Sequence, residues 1–211
     1  MALHDDRKEY TQGSLEDFLL HEDPISMFRT WLEAYRATGA ADATAFALST
    51  VSADGMPNAR IVLLKELLDG ELVFFTNYRS QKGQDLAVHP VAHALFFWPS
   101  MERQVRVQGS VRQISADESR AYFASRPLGS QWGAVASEQS QPTPDRASLD
   151  AQLAEVQRRF PESVPCPEHW GGYALKAARL EFWQGRASRM HDRLQFTLTS
   201  GGTWAAQRLQ P

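Results

Sequence analysis

Cysteine is almost absent from these 211 residues, Cys166 being the only one. One thiol excludes a disulfide within the chain and any cysteine-rich metal site, and it makes a reducing cytoplasm the expected setting. Long apolar runs are missing too. No stretch approaches the roughly 18 apolar residues of a membrane span, and residues 1–20 carry charged and polar side chains without an apolar signal core, so a soluble, unexported protein is expected. Neither sign of charge dominates: 22 basic against 25 acidic residues leave a formal net charge of -3, which argues against nucleic acid or an acidic membrane as partner. Lysine is scarce, since 18 of the 22 basic residues are arginine. A GC-rich coding sequence accounts for that bias as simply as a need for bidentate phosphate or carboxylate binding does.

Familiar site signatures are lacking as well. There is no G-x-G-x-x-G after a strand and no G-x-x-x-x-G-K-S/T, so any phosphate must be held by side chains. His4, His21, His89, His93, His169 and His191 show no H-E-x-x-H spacing, and no metal is expected. No G-x-S-x-G elbow occurs, and Cys166, near His169 in a proline-rich stretch, reads as an inert loop thiol.

What is present is a β-rich pattern with inserted helices. Residues 1–20 read as a mobile arm and residues 21–211 as one domain, with 43% apolar residues to build its core. Asp23-Pro24 marks a helix start, and Ile25, Phe28, Trp31, Leu32 and Tyr35 keep helical spacing up to Gly39. Strand patterns follow over 45–51, 59–65, 71–76 and 91–98, with turns at Asp54-Gly55 and Asp69-Gly70 and a short helix over 80–88. From Glu102 to Ile114, Val105, Val107 and Val111 alternate with Gln104, Arg106 and Gln108. Helices are predicted near 116–125 and 147–160, then strands over 173–183, 193–198 and 203–209. This is a mainly β, α+β chain, and it fits a closed or nearly closed antiparallel barrel better than a parallel doubly wound sheet.

The densest chemistry lies at the C-terminal end. Leu180-Glu181-Phe182-Trp183-Gln184 is followed by Arg189-Met190-His191-Asp192-Arg193. If extended, that second run points Arg189, His191 and Arg193 one way, a cationic row with a titratable centre and a candidate anion site. Arg60 and Lys65 bracket an apolar strand, and alternation sends them to opposite faces, as for charges reaching solvent. Gln81-Lys82 opens a helix and reads either as a phosphate contact or as a solvated helix end. Tyr122, Arg126 and Ser130, spaced four apart, suit a phosphate ester or an ordinary helix surface.

Together these residues resemble the pyridoxamine 5'-phosphate oxidase family. The C-terminal stretch is similar at every constrained position, and Arg7 to Tyr10, Arg60 to Lys65, Thr76-Asn77, Glu102 to Val105, Tyr122 to Pro127, Ser130-Gln131, Gln139-Ser140 and Trp170-Gly171-Gly172 follow in the family's order. The resemblance implies an FMN-binding split β-barrel, with FMN held noncovalently at the interface of a homodimer. It implies oxidation of pyridoxamine or pyridoxine 5'-phosphate, by hydride transfer from C4' to the flavin N5. Reoxidation by O2 would then release hydrogen peroxide, and the product would be pyridoxal 5'-phosphate, with ammonia from the amine. FMN contacts are implied at Arg60, Ile61, Val62, Leu63, Leu64, Lys65, Phe75, Thr76, Lys82, Gln104, Gln139, Ser140, Trp183 and Arg193. Substrate contacts are implied at Lys65, Tyr122, Arg126, Ser130, Arg189, Met190 and His191, with Arg7, Lys8, Glu9 and Tyr10 as a lid and Arg189 and His191 catalytic. Gln81 departs from the family's usual arginine and stands outside the binding set. Two other readings are a split-barrel protein that binds FMN or pyridoxal phosphate without turnover, and another flavin oxidoreductase on the same barrel. The joint presence of Arg189, His191, Tyr122, Arg126 and Ser130 weighs against both.

Overall fold

A computed structural model of the chain describes residues 9–211. The Asp23 carboxylate accepts the Ser26 N–H at 2.8 Å, and Pro24 takes the first helical position, so α1 (Pro24–Ala37) begins where a cap and a donor-free residue coincide. Its apolar stripe of Met27, Phe28, Trp31, Leu32 and Tyr35 is buried against the sheet.

The sheet has nine strands, every pair antiparallel: β1 (Ala45–Val51), β2 (Pro57–Leu63), β3 (Glu66–Leu68), β4 (Glu71–Asn77), β5 (Val91–Trp98), β6 (Arg103–Gln113), β7 (Trp170–Gln184), β8 (Asp192–Leu198) and β9 (Trp204–Arg208). The order runs β2-β1-β5-β6-β7-β4-β3, with β8 on β7 and β9 on β8. One face closes over fully buried Phe46, Leu48, Phe74, Phe96, Leu175, Leu180, Phe182 and Phe196. The alternation in β6 is as predicted: Val105, Val107 and Val111 are buried while Gln104, Arg106 and Gln108 face away.

Strand β7 forks the sheet. Along one edge it pairs β6 for nearly its whole length; along the other, Trp170–Leu175 pairs β4 and Arg179–Gln184 pairs β8. At the fork the β6–β7 register slips between Gln108 and Gly109, a bulge that bends the strands. Gly109 is required there, because a Cβ would overlap the Lys176 carbonyl oxygen.

Helices fill the remaining connections: α2 (Gln81–Val88), α3 (Ala116–Ser125), α4 (Leu128–Ala136) and α5 (Arg146–Arg159). A reciprocal Ser115–Glu118 capping box starts α3. Strand β3, helix α4 and the 3₁₀ turns Asp17–His21 and Pro99–Met101 have no counterpart in the pattern read from the sequence. The predicted extended run at 189–193 is corrected as well. Ala187–Arg189 form a 3₁₀ turn with Ser188 and Arg189 at φ of 55° and 60°, and β8 begins only at Asp192. The chain must reverse between β7 and β8, and these residues make the reversal.

Candidate functional site

A cavity of about 710 Å³ opens beside β2, β4 and α4. Its lining among the described residues carries four cations, Arg60, Lys65, Lys82 and Arg126, and no carboxylate. Strand β2 ends at Leu63 and the chain turns into β3 at Glu66, so Arg60 and Lys65 line one cavity instead of pointing to opposite faces.

Arg60, Lys82 and Arg126 are each held differently. Arg60 donates to Thr50 Oγ1 at 2.7 Å and the Leu48 carbonyl at 3.3 Å, with the Asp85 carboxylate 3.8 Å away. Asp85 is buried. Desolvation pushes its carboxyl up, but donors from Thr50, Gln81 and Asn58, with Arg60 beside them, hold it below the ordinary range. The Gln81 amide spends its Nε2–H on Asp85 at 2.8 Å, while its backbone N–H donates to Ser140 Oγ. Lys82 Nζ donates to three neutral oxygens, Gln139 Oε1 at 2.9 Å, Thr76 Oγ1 at 3.1 Å and Ser80 Oγ at 3.2 Å. Burial, and then the Arg60 charge, lower the Lys82 ammonium to about 8 against the pull of Asp85. Arg126 lies 4.7 Å above the Trp170 ring, and its buried Nη1 has no hydrogen-bond partner among the described residues. A buried donor left unmet is costly.

The second wall is aromatic. Phe75 and Tyr122 stack at 3.9 Å and 20°, and Trp170 lies nearly parallel to both. Helix α3 stops at Ser125 and Arg126 caps it in an extended conformation, so Tyr122, Arg126 and Ser130 reach the cavity from a helix, its cap and the first turn of α4. Asn77, Ser137 and Trp170 also line it, beyond the predicted set. Leu64 points into the core, and Ser140, at φ 75°, is exposed outside the lining.

The remaining predicted residues gather elsewhere. Gln104, Trp183 and Arg193 form a row across β6, β7 and β8. Arg193 donates to both Glu181 oxygens, at 2.8 and 3.1 Å, and to the Gln210 carbonyl at 2.9 Å. His191 stands 4.8 Å from the Trp183 ring, and its Nδ1 accepts the Arg186 N–H at 3.1 Å. Tyr10 packs edge-on to both rings, Glu9 accepts the Ser188 N–H at 3.4 Å, and Arg189 and Met190 are exposed. Arg7 and Lys8 lie outside the described residues. Thr76 faces Gly171 across β7's first half, and Arg193 faces Trp183 across its second. From residue 171 to residue 183 is twelve steps of about 3.3 Å, roughly 40 Å of strand. The predicted residues of one chain therefore fall in two groups, toward opposite ends of β7.

Residues 32–160 match the family described as Pyridoxamine 5'-phosphate oxidase. The chain belongs to this family. Residues 170–211 match the Pyridoxine 5'-phosphate oxidase C-terminal dimerisation region, which spans β7 to β9. Family members named Pyridoxine/pyridoxamine 5'-phosphate oxidase include one from Thermosynechococcus vestitus, 51% identical over 97% of each chain. Another, from Pseudomonas paraeruginosa, is 49% identical over 100% of this chain and 99% of its own. Among solved structures, PhzG from Burkholderia lata, complexed with tetrahydrophenazine-1-carboxylic acid, superposes with a TM-score of 0.87 at 25% identity, covering 95% of this chain and 100% of that one. A family-related FMN binding protein from Nostoc punctiforme gives a TM-score of 0.71 at 17% identity, over 94% of this chain and all of its own, and shares the split-barrel fold.

Proposed function

We propose that the protein is an FMN-dependent oxidase that converts pyridoxine or pyridoxamine 5'-phosphate and O2 to pyridoxal 5'-phosphate and hydrogen peroxide, with water consumed and ammonia released for the amine. The observation that carries this reading is the four-cation, carboxylate-free cavity, which suits two phosphate-bearing molecules, in a chain half identical to proteins of that name. Bound FMN supplies the hydride acceptor at its N5 and passes the electrons to O2.

The donor set fits FMN. Lys82 and Arg60 offer charge-assisted hydrogen bonds to its phosphate, and Thr76 and Gln139 offer neutral ones from the same wall, beside Ile61, Val62, Leu63 and Phe75. Lys65, Arg126, Tyr122 and Ser130, which line the same cavity, are left for the substrate phosphate. Because His191 Nδ1 accepts from Arg186, the ring proton sits on Nε2, where it can donate to the substrate oxygen.

The half-sites work together when two copies associate, the loop of one copy with exposed Arg189 and Met190 and half-buried His191 covering the cavity of the other. The sheet's outer face supports this arrangement. Ile61 and Phe97 stand there 66% and 56% exposed, Phe97 in line with Gln104 and Trp183 and Ile61 in the neighbouring row with Leu95 and Arg106. Pyridoxine 5'-phosphate added to the FMN-saturated protein in air is expected to yield a 4'-aldehyde and an equal amount of peroxide. Absence of both with either phosphorylated substrate rejects the assignment.

FMN affinity is expected to depend on pH through Lys82. The ammonium is present below its pKa of about 8 and is lost from the ligand-free protein above it, so tight binding there requires proton uptake. The FMN dissociation constant should be flat near pH 7 and rise by up to about tenfold per unit above pH ~8. A titration series that stays flat to about pH 9.5 excludes Lys82 as the phosphate's ammonium partner.

A further inference from the structure

Glu102 sits in the turn between β5 and β6, 2% exposed and in the left-handed region at φ 54° and ψ 40°. Glycine is the unstrained choice at such a position, so a glutamate there points to a use for its side chain. That use is visible. One carboxylate oxygen, Oε2, accepts the Thr11 N–H at 2.7 Å and the Gln12 N–H at 3.0 Å, tying down a segment about ninety residues earlier in the chain. The Glu102 carbonyl accepts the Gly185 N–H at 2.8 Å, so the same residue also holds the start of the β7–β8 loop. Tyr10 lies directly on Gly185, where a Cβ would come within 2.6 Å of its Cγ. From there the ring reaches Trp183 at 5.7 Å and His191 at 5.6 Å.

We propose that Glu102 is a positioning residue that seats the N-terminal arm, setting Tyr10 against His191 and thereby strengthening binding of the phosphorylated substrate. The substrate half of this inference rests on the oxidase reading above; the seating of the arm does not. The Glu102 carboxylate fixes the backbone of residues 11 and 12, and its carbonyl fixes the surface on which Tyr10 lands. Charge-assisted bonds to backbone N–H groups are the strong kind, and here both fall between Tyr10 and Leu15, whose own N–H donates to Asp192 at 3.1 Å.

The test is a double-mutant cycle in the full-length, FMN-saturated protein with Glu102→Gln, Tyr10→Ala and the pair. Glu102→Gln is expected to raise KM for pyridoxine 5'-phosphate about tenfold, with kcat within about twofold and the FMN dissociation constant unchanged. Added to Tyr10→Ala, it should change KM by less than about twofold, because both act through one seated ring. Independent effects that multiply, or an FMN constant that moves with KM, overturn the proposal. Thr11→Pro removes one donor from the exposed arm and leaves Glu102 in place, so it repeats the test if Glu102→Gln does not fold. A glutamate-specific protease reads the seating without turnover. Faster cleavage after Glu9 or Glu16 in Glu102→Gln supports it, and unchanged cleavage overturns it, whether or not the wild type oxidises the substrate.

Discussion

Lys82→Ala is expected to raise the FMN dissociation constant about 100-fold, the scale of losing one member of a hydrogen-bonded charge pair. The neighbourhood explains why no other group replaces it. Nζ is surrounded by the neutral oxygens of Thr76, Ser80 and Gln139, and the nearby carboxylate among the described residues, Asp85, is already engaged by Thr50, Asn58, Gln81 and Arg60. The ammonium is therefore held in place without being neutralised, a state that favours an incoming dianion. Removing it leaves those oxygens facing the phosphate without a donor between them. Turnover should return at high FMN, since the substrate's own contacts are untouched. Flavin fluorescence quenching by the ligand-free protein gives the constant directly, and an unchanged value would remove Lys82 from the phosphate site.

Arg189→Met is expected to show the opposite pattern, with FMN retained and flavin reduction by pyridoxine 5'-phosphate slowed about 100-fold, the scale of a small misplacement of reacting groups. Methionine keeps the apolar stem and removes the guanidinium. Arg189 stands exposed at φ 60° on the β7–β8 loop, strained for a residue with a side chain, and it has no ion-pair partner among the described residues. A cation held that way contributes little to the fold of its own chain. Its proposed use is across the dimer, over the substrate ring in the partner's cavity. Anaerobic mixing measures the reduction step apart from reoxidation, and a protein that loses its yellow colour on purification would show that Arg189 serves the cofactor instead.

Much of the fold was legible because β periodicity is local. The valine alternation in β6, the Asp-Gly turns and the Asp23-Pro24 start each depend on neighbours within a few residues, and the structure follows them. Helix α4 was not, since its glycines at 129 and 133 and its capless Pro127 start give no helical signal. The i, i+2 reasoning failed at 189–191 because a chain reversal overrides alternation, and His191 reaches Trp183 through a loop. Arg60 and Lys65 met for the complementary reason, a strand that ended two residues before the alternation did. Long-range partners carry no sequence signal at all: Asp85 under Arg60, Glu181 under Arg193 and Glu102 beneath the arm emerge only from the folded chain. Nor can a motif list show that the two groups of predicted site residues lie roughly 40 Å apart along one strand.

Shared sites can be tested by subunit complementation. Arg126→Ala disables the cavity half and Arg189→Met the loop half, so each homodimer should be nearly inactive toward pyridoxine 5'-phosphate. Co-expressed in equal amounts, the two chains form mixed dimers in which one cavity keeps Arg126 and receives an intact Arg189 from the partner. Recovery of about one quarter of wild-type activity, half of the dimers each with one good site of two, is the result predicted. Activity no higher than the average of the two parent variants would contradict a site built from two copies.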